Sequence, residues 1–88
     1  MKQAIHLIRE TGAKLIDVQT TEDYWQRHLP GSINIPLEML NEIIEDRIQN
    51  KSEAIIVYCQ KGIRSRAACD ILMRKGYDNL YNIKDGLD

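Results

Sequence analysis

The sequence predicts an α/β fold: three layers, with a mostly parallel sheet of about four to five strands flanked by helices. Three observations carry that prediction. Short apolar runs alternate with helix-period segments along the chain, the pattern of strands joined by helical crossovers. Two of the runs, Leu15-Ile16-Asp17-Val18 and Ala54-Ile55-Ile56-Val57-Tyr58, are nearly all apolar, as the central strands of a parallel sheet are. The chain has 88 residues, 43% hydrophobic and 28% charged, enough for one ordinary globular domain with a modest core.

Taken in order, Ala4, Ile5 and Ile8 share a face, so residues 2–11 read as a short amphipathic helix closed by Gly12. Lys14 to Val18 follows as a strand. Thr20-Thr21-Glu22-Asp23 supplies a hydroxyl cap and early acidic residues for a one- or two-turn helix through Arg27. Pro30-Gly31 marks a turn, because proline presets φ and glycine permits a positive one. Ser32 to Ile35 is the next strand, stopped by Pro36. Leu37, Leu40, Ile44 and Ile48 then define the core stripe of a helix reaching about Gln49. Ala54 to Tyr58 is a buried strand, and Ser65 to Lys75 a helix whose inner face carries Ala68, Ile71 and Leu72. Gly76 suits the position just past its end, where Arg74 and Lys75 complement the dipole. Asn79 to Ile83 is the last strand. Tyr24 and Trp25 read as packing of the short helix on the sheet. His28, just before the Pro-Gly turn, reads as a packing or capping residue, and Asp17 as a group that orients loop backbone.

The stretch with chemistry in it is Cys59-Gln60-Lys61-Gly62-Ile63-Arg64-Ser65. A thiol stands where a strand stops, in a short loop whose amides run into a helix N-terminus. Those amides lack internal partners and carry the positive end of the helix dipole, so they favour an anion. A thiol so placed falls from a free pKa of about 8.5 into a range of roughly 3.5–7.5 and becomes a nucleophile at neutral pH. Lys61, Arg64 and Arg66 add positive charge. Cys59 is therefore the candidate nucleophile, and Gln60, Lys61, Gly62, Ile63, Arg64 and Ser65 are the candidate binding residues. Cys69, one turn into the following helix, reads as core-facing or partly buried, with a resolving role toward Cys59 as the lesser alternative.

Composition excludes several classes. A net charge of −1 is no broad basic surface, so a nucleic-acid partner is not expected. No apolar run reaches the length of about 20 residues that spans a bilayer, and the charged N-terminal stretch is no secretory leader. The expectation is a cytoplasmic protein, or a periplasmic one if a leader has been removed, with no membrane partner. Two cysteines ten positions apart form neither a disulfide framework nor a metal spacing, so no metal is expected.

With these pieces aligned, the chain resembles the rhodanese-like (thiosulfate sulfurtransferase) family, in its small single-domain bacterial form, over nearly its whole length. The matching residues are Leu15-Ile16-Asp17-Val18, Glu22, Tyr24, the run His28-Leu29-Pro30-Gly31-Ser32-Ile33-Asn34-Ile35-Pro36-Leu37, the loop Tyr58 to Ser65, and Ala68, Leu72 and Gly76-Tyr77. The resemblance implies an enzyme that moves a sulfane sulfur from thiosulfate, or a related small anionic donor, through a Cys59 persulfide. Its acceptor would be cyanide or a thiol, including a protein thiol, and no cofactor would be needed. Residues 1–88 would form one such domain, shortened at both ends. The family usually carries arginine where this chain has Gln19, an edge strand before the first helix, and a longer segment after a Gly-Gly.

Three other functions fit parts of the pattern, one of them a redox sensor that would use Cys59 and Cys69. A persulfide carrier or protein-interaction module would use the same loop without turnover. Cysteine phosphatases and related arsenate reductases also hold an anion over a thiolate, but they place arginine six positions after the cysteine. Here that position is Ser65, with Arg64 one place earlier, so the loop is a residue shorter.

Overall fold

The computed structural model describes residues 12–60 and 62–83. The helix expected over residues 2–11, Lys61, and the closing Gly86-Leu87-Asp88 lie outside the described residues. Strand β1 (Lys14–Asp17) leads to helix α1 (Thr21–Gln26), strand β2 (Ile33–Asn34), helix α2 (Leu37–Arg47), strand β3 (Ile55–Tyr58), helix α3 (Ile63–Arg74) and strand β4 (Leu80–Asn82). Among the described residues, four parallel strands form one sheet in the order β2-β1-β3-β4, within the strand number the sequence predicts.

Alternation along the strands sorts the core into two layers, because successive side chains of a strand point to opposite faces. Ile16, Val18, Ile55, Val57 and Cys59 face α2 and α3, meeting Leu40, Ile44, Ile48, Ala68 and Leu72. Leu15, Ile56 and Tyr58 face the other side, where Leu29, Tyr81 and Ile83 pack against them. The stripe read from Leu37 through Ile48 is core, as expected.

Local chemistry sets the element ends. The Thr20 hydroxyl accepts from the Asp23 N–H at 3.2 Å and opens α1. Leu29 to Ser32 forms a turn closed by Ser32 N–H to the Leu29 carbonyl at 3.2 Å, with Gly31 at φ 82°. Helix α3 ends in a Schellman pair, Tyr77 N–H to the Leu72 carbonyl and Gly76 N–H to the Met73 carbonyl, with Gly76 at φ 95°.

Two expectations need correction. Helix α3 starts at Ile63 rather than Ser65: Gly62 turns the chain at φ 83°, and the exposed Ile63 and half-buried Arg64 take helical form without facing the core. Trp25 does not pack on the sheet; it is 74% exposed. Helix α1 buries no side chain. Its Tyr24 turns inward and donates to the Ser32 carbonyl at 3.1 Å, whereas Trp25, the next residue around the helix, touches Tyr24 and His28 edge-on.

Candidate active site

The order β2-β1-β3-β4 sends the chain one way from β1 and then back across it to β3. Ligand sites in open α/β sheets form at that reversal, beyond the carboxyl ends of the two strands. Here a cavity of about 270 Å³ sits there, lined by Gln19 after β1, Asp23 on α1, Cys59 and Gln60 after β3, and Ile63 and Arg64 on α3.

Cys59 is 2% exposed and belongs to the core layer under α2 and α3 while its sulfur reaches the cavity floor. Its Sγ accepts the Gly62 N–H at 3.0 Å and the Ser65 N–H at 3.4 Å. Gly62 is the N-cap of α3 and has no side chain to cap with, so the sulfur takes the place of a capping oxygen. The amide cradle is thus a consequence of how the helix begins. Ser65 is fully buried, and its hydroxyl lies 3.1 Å from the Gly62 carbonyl and 2.7 Å from Asn82 Oδ1 at the end of β4. These contacts brace the first turn of α3 against the sheet.

Asp17 ends β1 fully buried. Its Oδ1 accepts the Gln19 backbone N–H and its Oδ2 the Gln19 side-chain amide, both at 2.8 Å, and the same amide donates to the Arg27 carbonyl at 3.1 Å. Asp17 therefore orients loop backbone, as the sequence suggests, through a neutral glutamine. Asn34 Nδ2 ties the same loop down by donating to the Asp17 and Gln19 carbonyls. Burial pushes the Tyr58 phenol well above its ordinary pKa, and the neighbouring Asp17 carboxylate acts the same way. The phenol stays protonated, accepting the Leu29 N–H at 2.9 Å and facing Ser32 Oγ at 3.1 Å.

Of the sequence-derived candidates, the structure brings Cys59, Gln60, Ile63 and Arg64 to the cavity wall, and Gly62 and Ser65 to the sulfur. Ile63 is 77% exposed. Arg64 donates from Nε to the Val18 carbonyl at 3.1 Å and from one terminal nitrogen to both carboxylate oxygens of Glu38, at 2.6 and 2.8 Å. The Arg64 hydrogen bond, with a smaller charge contribution, holds the Glu38 carboxyl below its usual range. His28 caps and packs: its ring stacks on Tyr24 at 3.8 Å, with Nδ1 2.7 Å from the Tyr24 carbonyl. Cys69 is half-buried against the core, and burial, aided by Asp70, raises its thiol pKa. Among the described residues, no three His, Cys, Asp or Glu side chains converge as metal ligands would, and no helix is long and apolar enough to cross a membrane.

Glu38, Asp23 and Asn82 escape sequence reasoning. Glu38 reads as an ordinary acidic residue in the first turn of a helix, and nothing local links it to an arginine 26 positions later.

A parallel sheet with a cysteine loop feeding a helix N-terminus at the chain reversal defines a rhodanese-like architecture. The chain belongs to that family: the rhodanese-like domain model matches residues 1–88. It is 40% identical over 67 residues to thiosulfate sulfurtransferase PspE of Escherichia coli (strain K12), an alignment covering 76% of this chain and 64% of that protein. The chain thus spans just under two thirds of that relative's length. Among solved structures, a rhodanese with anions from E. coli superposes with a TM-score of 0.78 at 38% identity, over 82% of this chain and 85% of that one. The human single-domain sulfurtransferase TSTD1 shares the fold at 20% identity, with a TM-score of 0.84 over 98% of this chain and 87% of its own.

Proposed function

We propose that this domain is a sulfurtransferase that carries a sulfane sulfur on Cys59. The observation that supports this most directly is the Cys59 sulfur at the floor of an open cavity, receiving two backbone N–H groups from a helix start. Donors already aimed at sulfur stabilise a thiolate without reorganising, the same physics as an oxyanion hole. The similarity to a thiosulfate sulfurtransferase points to the donor class.

In the reaction so read, the Cys59 thiolate attacks the outer sulfur of thiosulfate. The sulfur–sulfur bond of the donor breaks, sulfite leaves with the electron pair, and a Cys59 persulfide anion remains. Cyanide or a thiolate then attacks the terminal sulfur, giving thiocyanate or an acceptor persulfide and restoring the Cys59 thiolate. Charge and electrons balance in each half, so no cofactor enters. The Gly62 and Ser65 amides, in the loop that runs on from Gln60 through Ile63, cradle the persulfide, Gln60 and Arg64 meet the donor at the cavity wall, and the charge of Lys61, next to Gln60 in sequence, favours an anionic donor. A protein thiol is equally an acceptor in this scheme.

Intact mass before and after incubation with thiosulfate tests it. The wild-type protein should gain one sulfur atom and lose it to cyanide with release of thiocyanate, and Cys59→Ser should gain none. A wild-type protein whose Cys59 is in the reduced thiol form and gains no sulfur would remove the proposal, and sulfur retained by Cys59→Ser would remove the assignment of the nucleophile.

A further inference from the structure

Arg64 reaches the cavity wall with Nε and one terminal nitrogen already engaged. The Val18 carbonyl holds Nε and so fixes the guanidinium beside the end of β1. Glu38 approaches from the first turn of α2 and takes a terminal nitrogen with both of its oxygens. Arg64 lines the cavity and Glu38 does not, so the carboxylate occupies the arginine's hydrogen-bonding edge without standing where a substrate would sit. Asp23 places a negative charge in the cavity lining itself. One guanidinium edge serves one oxyanion at a time. A donor whose oxygens are to be held through that terminal nitrogen must first displace Glu38.

We propose that Glu38 is a specificity-determining residue, an internal carboxylate that competes with anionic sulfur donors for Arg64 and so weakens their binding relative to neutral donors. This rests on the sulfur-transfer reading for its kinetic consequence, but the anion competition does not. The pair is exposed on the Glu38 side, and its Arg64 partner is about one third exposed, so it is weak enough to exchange. Its low carboxyl pKa keeps Glu38 ionised, and the competition active, throughout the neutral range. A neutral sulfane donor, such as an organic trisulfide, has no oxyanion to place on Arg64 and meets no such competitor.

The test is Glu38→Gln, which preserves size and an acceptor oxygen and removes the charge. The KM for thiosulfate should fall by about two- to fivefold, the range an exposed pair accounts for. The KM for diallyl trisulfide, the neutral probe, should stay within error. In an Arg64→Ala background the same Glu38→Gln change should have no effect, because the competition has lost its object. An unchanged thiosulfate KM overturns the proposal, and so does a raised one, which would mean that Glu38 holds Arg64 in place for the donor. Equal shifts with both donors overturn it as well. A second readout needs no sulfur transfer: the sulfate concentration that half-protects Cys59 from iodoacetamide should be lower in Glu38→Gln than in wild type. Sharper protection without any thiosulfate turnover would sink the sulfur-transfer reading and leave the competition standing. Turnover with identical protection in the two proteins would do the reverse.

Discussion

Gln19→Ala probes the buried carboxylate beneath the site. Asp17 is fully buried, and each of its oxygens accepts one 2.8 Å hydrogen bond from Gln19, one from the backbone and one from the side-chain amide. Alanine keeps the backbone donor and removes the amide, leaving Oδ2 without it. A hydrogen bond to a charged group contributes about 1.5–3 kcal/mol, and a buried charged acceptor stripped of its donor forfeits the desolvation cost as well. The nearby Tyr58 hydroxyl can turn toward Asp17 and recover part of that loss, so the expected destabilisation is about 2 kcal/mol. For a domain of this length that corresponds to a fall in Tm of roughly 8–16 °C. Urea and thermal unfolding of wild type, Gln19→Ala, Asp17→Asn and the double variant would measure it as a cycle. In the Asp17→Asn background the alanine change should cost less than about 1 kcal/mol, because a neutral amide forfeits less. A loss below about 0.5 kcal/mol in the single variant would refute the reasoning: Asp17 would then be drawing on water or another donor.

Gly76→Ala should cost about 1–2 kcal/mol, the penalty of a side chain in the left-handed region, since nothing lies within 4 Å of an added Cβ at φ 95°. Gly76→Asn should lose less, and equal stability of Gly76→Ala and wild type would mean that the helix ends differently in solution. Lys51 and Lys75 hold the Glu45 carboxyl down to about 2. Because the folded value is depressed, the stabilisation is fully present above the unfolded carboxylate pKa of about 4.3 and is lost as pH falls through the folded value. Carboxyl-detected NMR should place the Glu45 midpoint well below its neighbours' and move it upward at about 1 M salt, as screening requires. An ordinary midpoint at low salt would show that the two lysines are not held on Glu45.

The two halves of the site have different costs of construction. The sulfur cradle comes from local geometry: Gly62 at φ 83° swings the chain into α3 so that its own N–H and that of Ser65 converge on Sγ. The cavity wall is assembled from four separate segments, with Gln19, Asp23, Gln60 and Arg64 spread across the sheet's carboxyl edge. The wall can therefore vary at Gln19 without disturbing the amides that meet Sγ, and Glu38 reaches it only through Arg64.

Whatever depends on neighbours along the chain is legible in the residues alone. A run of buried residues ending at Tyr58, a cysteine, a glycine and a helical period from Ala68 onward suffice to place Cys59 at a strand end facing a helix N-terminus. The Thr20 cap, the Pro30-Gly31 turn and the Gly76 stop are legible for the same reason, since each acts over three or four residues. The start of α3 was legible only from Ser65, because Ile63 and Arg64 carry no core-facing period. Trp25 looked buried because an aromatic residue on a short helix usually has a sheet to cover, and this helix presents only Tyr24 to it. Tertiary structure alone decided the strand order β2-β1-β3-β4, and with it the place where the cavity opens. It also set Glu38 on Arg64 and Asn82 beside Ser65, pairings that span 26 and 17 positions. Such contacts follow from sheet register and from how α2 and α3 lie across one face, which no stretch of chain encodes on its own.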